Sequence, residues 1–199
     1  MTASALPPPD DDRQDTKKRI LDMAEDLLLT RGFNAFSYQH ISSELGMKNA
    51  AIHYHYPKKN DLGVAVIQRY RRRFQRFVDG QAGQSARAQL EAYFQLSTRY
   101  YQHNQQICPS GVLSAEFHVL PSDMQAEALA FVAEMRDWAT RILQHGLASG
   151  EFHFAGDARA MAAVMFAALQ GGLQLARLDA AILDDLKRQL CALLGLPPC

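Results

Sequence analysis

The sequence predicts an all-α protein of about nine helices: an N-terminal three-helix helix-turn-helix unit, then a larger helical bundle. Three observations predict it. Apolar residues recur at spacings of three and four along nearly the whole chain, with almost no strand-like alternation. Glycine, proline and capping Ser or Asp residues punctuate those periodic stretches. Short segments come first and longer ones follow.

The first helix is expected over about Thr16–Arg31. Ile20, Met23, Ala24, Leu27 and Leu28 share one face, and Gly32 stops the helix. Ser37 opens a second, short helix as its N-cap. Phe36 before that cap and Ile41 after it form a hydrophobic staple. Leu45 ends the helix, and Gly46 makes the turn. A third helix spans about Asn49–Tyr56, and Pro57 ends it because its ring breaks the hydrogen-bond ladder. A fourth, capped by Asn60 or Asp61, runs to about Val78. After a break at Gly80–Ser85, helices are expected at about 86–104, 110–119, 122–148, 157–176 and 179–194. Residues 1–15, with Pro7–Pro9 and Asp10–Asp12, read as a disordered tail. Residues 16–60 form the first folded unit and 61–199 the second.

The composition narrows the function classes. With 199 residues, 48% of them apolar, the chain can bury a real core. No window holds 18 uninterrupted apolar residues, so no membrane span is expected. The N-terminus lacks a basic stretch followed by an apolar segment, so the expected location is the cytoplasm. Cys108, Cys191 and Cys199 form neither a disulfide framework nor a zinc pattern. Net charge is zero, but residues 16–80 carry twelve Lys/Arg against six Asp/Glu. That uneven balance points to a polyanion partner for the first third of the chain.

The short third helix carries the chemistry. Lys48, Asn49, His53, Tyr54 and His55 can bond bases or phosphates. Ala50 and Ala51 permit close approach, and their methyls can meet a thymine methyl. Ile52 anchors the helix inward, and Lys58 and Lys59 follow directly, with charge to neutralise phosphates. Three helices with a glycine turn between the second and third make a helix-turn-helix, whose last helix enters the DNA major groove. Protonation of His53 and His55 near pH 6.5 is expected to strengthen that attraction.

The segment GFNAFSYQHISSELGMKNAAIHYHYPKKNDLGVAVI, residues 32–67, resembles the TetR family of bacterial regulators. The shared pattern is a glycine-aromatic opening, a Ser/Thr-capped helix, a Leu-Gly turn, an aromatic-rich recognition helix and Pro-x-Lys-x-x-Leu. The resemblance implies a ligand-responsive regulator, expected to be a repressor, that binds a palindromic operator as a homodimer and is released by a small-molecule effector. It puts Ser37, Tyr38 and Gln39 at backbone or base edges, and Lys48, Asn49, Ala50, Ala51, His53 and His55 at the groove. It has Lys59 hold a phosphate. Lys48 stands where the family often has a Ser or Thr cap, so Asn49 is expected to start that helix.

The same resemblance assigns the later helices to effector binding and dimerisation. The last two helices, about 157–194, are rich in small and leucine residues and fit a four-helix dimer interface. Candidate pocket residues are Tyr93, Phe94, Ser97, Tyr101, Cys108, Leu113, Phe117, His118, Phe131, Met135, Trp138, Met165, Phe166 and Gln170. Each aromatic among them fits a packed core equally well. Cys108 is a candidate thiol sensor, although no flanking Lys or Arg activates it. Arg71, Arg72, Arg73 and Arg76 lie on the fourth helix, the expected lever between effector and DNA. The alternative is a helical small-molecule-binding protein or enzyme without operator binding. Against an enzyme, the chain offers no supported Ser-His-Asp set, no phosphate loop and no metal-spaced cluster, so no cofactor is expected.

Overall fold

The computed structural model describes residues 10–103 and 105–197, and these contain nine α-helices and no strand. They are α1 (Asp10–Arg31), α2 (Tyr38–Leu45), α3 (Asn49–His55), α4 (Lys59–Gly80), α5 (Ala86–Gln102), α6 (Pro109–Ala115), α7 (Ser122–Ser149), α8 (Ala158–Leu175) and α9 (Ala181–Leu193). The all-α expectation therefore holds.

Helix α1 departs from the sequence reading at its start. It begins at Asp10, so residues 10–15 of the expected tail are helical. Residues 1–9 lie outside the described residues. Arg13 then ties this extra turn to α3 by donating to the Tyr54 hydroxyl and lying over its ring. Helix α6 also differs, because it ends at Ala115 and gives way to a 3-10 turn, Phe117–Val119. Pro109 occupies its first turn, where a missing N–H costs nothing.

The first three helices close over a small core of Ile20, Ala24, Leu28, Ile41 and Ile52. Gly46 sits at φ +63° between α2 and α3, a left-handed turn that favours glycine. Helix α4 then leaves this unit and runs into the bundle. Gly63 lets it approach closely, since a Cβ there would lie 2.4 Å from Met124 Sδ on α7 and 2.8 Å from the Phe33 ring.

The bundle core is aromatic. Trp138 on α7 meets Phe74, Phe77 and Tyr93 edge-on at 5.7, 5.2 and 5.5 Å. It thereby joins α4, α5 and α7. Helices α8 and α9 pack on one another with Leu186 against Gly172. Asp157 caps α8 by accepting from the Arg159 and Ala160 amides, both at 2.9 Å. Cys191 is buried on α9 as its apolar face predicts, but it is disulfide-bonded, which the cysteine spacing did not indicate. Cys199 lies outside the described residues. None of the described helices is long and apolar enough to cross a membrane.

Trp138→Ala removes the side chain on which three helices converge. It is expected to destabilise the fold by about 3–5 kcal/mol. Urea unfolding followed by circular dichroism checks this, since the variant has no tryptophan left to report by fluorescence.

Candidate nucleic-acid interface and effector cavity

Helix α3 has one inward anchor. Ile52 is fully buried, while Ala50, His53 and Tyr54 are exposed and Asn49, Ala51 and His55 half-buried. A second fixture comes from α2. Tyr38 is 8% exposed, and its hydroxyl donates to the Tyr56 carbonyl at 2.7 Å. Burial pushes that hydroxyl's pKa up to about 12, so it stays a donor. The Tyr38 ring meets the His53 imidazole edge-on at 4.7 Å, and His53 Nδ1 lies 3.3 Å from the Pro57 carbonyl. One imidazole edge is thus spoken for, and the other is left for an external partner.

Four expected positions read differently in three dimensions. Tyr38 is not an outward contact, because its ring is buried and its hydroxyl already bonded. Asn49 does not cap α3. Lys48 holds the N-cap position without a side-chain bond, and the Asn49 amide donates to Gln39 Oε1 at 3.1 Å. Lys59 is turned inward. Its ammonium donates to the Phe33 carbonyl and lies 4.3 and 4.5 Å from the Phe33 and Phe36 ring centroids. Burial lowers its pKa, and nearby Glu116 partly restores it. This lysine stitches the turn after α1 to the start of α4, while Lys58 beside it is exposed. His55, finally, sits below its ordinary titration range, chiefly through burial and then through Lys17 and Arg13. Ser37, Gln39 and Lys48 are exposed as expected. The Ser37 amide donates to His40 Nδ1 at 3.1 Å, a reciprocal closure of the α2 start.

Two family models match the chain. Residues 20–66 match "Bacterial regulatory proteins, tetR family", and residues 86–190 match "Tetracyclin repressor-like, C-terminal domain". The chain belongs to the TetR family. A solved TetR-family transcriptional regulator from Agrobacterium tumefaciens is 30% identical, with a TM-score of 0.81, over 92% of this chain and 95% of that one. A TetR transcriptional regulator from Legionella pneumophila is 29% identical, with a TM-score of 0.81, over 89% of this chain and 96% of that one. Escherichia coli NemR in its reduced form shares the fold at 21% identity and a TM-score of 0.79, over 92% of this chain and 99% of that one. No curated protein matches the sequence significantly. This TetR-family chain is accordingly a DNA-binding transcriptional regulator with a helical C-terminal domain.

In the TetR-family C-terminal domain, the expected pocket residues divide. Cys108, Phe131 and Met135 line one cavity of about 160 Å³ among α4, α5 and α7. Leu113, Phe117 and His118 line a separate groove of about 270 Å³ between α6 and α7. Trp138 borders a third cleft with Val78 and His145. Tyr93, Phe94, Ser97 and Met165 are buried in the core, with the Ser97 hydroxyl donating to the Tyr93 carbonyl at 3.3 Å. Tyr101, Phe166 and Gln170 are half-buried and line none of these spaces. The expected single pocket is thus three spaces and a core, because the helices turn these side chains in different directions.

Sequence reading missed the cavity's other wall. Tyr70, Phe74 and Phe77 follow one another at i, i+4 and i+7 on α4, and Leu96 and Tyr100 on α5 complete it. The helical spacing on α4 was visible, but that helix read as a lever rather than a wall. Glu116 was missed entirely. From the end of α6 its carboxylate accepts from the Phe33 amide at 2.8 Å and from the Asn34 side chain at 3.4 Å. No local signal marks it, since its partners lie over eighty residues away in sequence.

The free protein should titrate His55 below the ordinary value of 6.5. The folded state then resists a proton that the unfolded chain accepts. His55's contribution to stability is present above pH 6.5 and is lost as pH falls through the folded value. NMR titration of the imidazole should show the lowered midpoint, and Lys17→Ala should raise it. A midpoint at or above 6.5 contradicts the described environment.

Proposed function

We propose that this regulator is a repressor that binds a palindromic operator as a homodimer and is released by a small-molecule effector, with residues 16–60 reading DNA and 61–199 sensing and dimerising. The carrying observation is the oriented His53 on α3. If Nδ1–H donates to the Pro57 carbonyl, Nε2 is an acceptor. An acceptor at this place suits the exocyclic amine of adenine or cytosine in the major groove. Lys48, exposed at the start of α3, and Lys58 suit phosphates, as do Lys17 and the α1 turn around Arg13. Gln39, Ala50, Ala51 and Tyr54 complete the proposed reading face, and Ser37 suits a backbone contact.

A homodimer supplies the paired half-sites that such a motif needs. Its proposed face is on α8, where Ala160, Ala163, Val164, Ala167, Gly171, Leu175 and Leu178 beyond the helix end form an exposed stripe. Val164, Leu175 and Leu178 are 51%, 49% and 86% exposed, which is costly for a lone chain and suits a second copy. Leu193 on α9 is also 44% exposed. Small residues within the stripe allow the two α8 helices to approach closely.

His53→Ala should weaken binding to the operator by about 1–3 kcal/mol and leave unrelated DNA nearly unaffected. Lys48→Ala should weaken both alike and reduce the salt slope by about one. Fluorescence anisotropy with DNA upstream of the gene, at two salt concentrations, reads both. Equal loss in both variants on both DNAs overturns the division of roles. Val164→Glu combined with Leu175→Glu should give a monomer by light scattering, with operator binding lost. A dimer that survives both charges removes α8 from the interface.

A further inference from the structure

We infer that the cavity among α4, α5 and α7 takes a neutral, single-ring aromatic molecule carrying one hydrogen-bond acceptor. The inference rests on the reading of the chain as effector-responsive and names the chemistry of that effector. Size is the first argument. The cavity holds about 160 Å³, and an apolar cavity of about 150 Å³ accommodates one benzene ring. Wall chemistry is the second. Phe74, Phe77, Phe131, Tyr100 and Met135 supply ring faces and a thioether, which favour an aromatic guest through edge contacts and sulfur contacts.

Tyr70 gives the guest its polar requirement. It lines the cavity, is 2% exposed, and its hydroxyl has no hydrogen-bond partner in the protein. A buried hydroxyl without a partner is destabilising, and native proteins rarely keep one without a reason. Burial raises its pKa well above the ordinary value, so the group is an O–H donor at any physiological pH. The hydroxyl oxygen is covered by its neighbours, so a carbonyl or hydroxyl oxygen on the guest satisfies it by displacing a wall side chain.

Charge is the fourth argument. Arg73 is the one cationic side chain on the cavity wall, but its guanidinium already donates to Glu25 Oε1 at 2.6 Å. Glu25 beside it also pairs with Arg69, so a carboxylate guest at Arg73 would meet the like charge of the Glu25 carboxylate. The cavity therefore favours an uncharged guest.

Calorimetry on the protein without DNA tests the assignment, with acetophenone, ethylbenzene and benzoate as probes. Acetophenone should bind saturably at one site, about 2- to 10-fold more tightly than ethylbenzene, which has a similar shape without the acceptor. Benzoate should bind more weakly than acetophenone. Tyr70→Phe keeps the ring and should erase the preference for acetophenone over ethylbenzene. Met135→Trp should fill the cavity and abolish binding of both. Leu96→Phe, a smaller intrusion from the opposite wall, serves if Met135→Trp does not fold. No saturable binding of acetophenone, an undiminished preference in Tyr70→Phe, unchanged binding in the filled variant, or tighter binding of benzoate each overturns it. DNA is absent from the assay, so a failure of operator binding would remove the regulator reading without touching this result.

Discussion

One helix, α4, must satisfy two neighbours at once, and the rest of the molecule depends on that constraint. It carries Leu62, Val66, Ile67, Tyr70 and Phe74 into the interior. Its polar side is divided between the two units. Arg69 pairs with Asp22 and Glu25 of α1, and Arg73 also pairs with Glu25. Arg71, two positions from both Arg69 and Arg73 in the chain, pairs with Glu127 and Glu134 of α7. Isolated exposed ion pairs contribute little. Here the pairs are linked, Arg69 and Arg73 through Glu25 and Glu127 and Glu134 through Arg71, so their value is geometric: they fix the rotation of α4 against both partners.

Two further residues link the bundle to the first unit. Glu116 at the end of α6 holds the Phe33 amide, and Gln106 in the loop before α6 donates to Asp26 of α1 at 3.1 Å. Gln106 is almost wholly buried. Cys108, two residues further on, lines the cavity that Tyr70 and Phe74 of α4 also line. A guest in that cavity therefore touches α4 directly and the loop that grips α1. In the proposed mechanism a guest need only favour one spacing of the two reading helices over another to change operator affinity. The thiol of Cys108 lies 3.1 Å from the Ser110 hydroxyl inside this wall, which makes it part of the packing there.

Much of this was legible in the sequence because helical periodicity is local. Ile20, Ala24, Leu27 and Leu28 announce α1, and Gly46 and Pro57 bracket α3 by backbone chemistry alone. The three-helix unit and the order of the later helices followed from such signals. What was not legible depends on long-range contacts. Lys59 reads as a phosphate partner until two phenylalanine rings and a carbonyl are brought around it. Tyr38 reads as a surface residue until its hydroxyl meets Tyr56. The start of α1 at Asp10 is hidden in the sequence because proline and aspartate composition there reads as disorder. The cavity among α4, α5 and α7 is only half legible: α5 to α7 offer aromatics, but the α4 wall reads as a lever alone.

In the proposed function, α3 of each of two copies reads DNA in paired half-sites. Hydroxyl-radical footprinting of the purified protein on the DNA upstream of its gene tests it most directly. The account predicts two protected, symmetry-related segments whose centres lie about one helical turn, roughly 10 base pairs, or a multiple of that apart. A single protected segment, or protection with no fixed position, would contradict it.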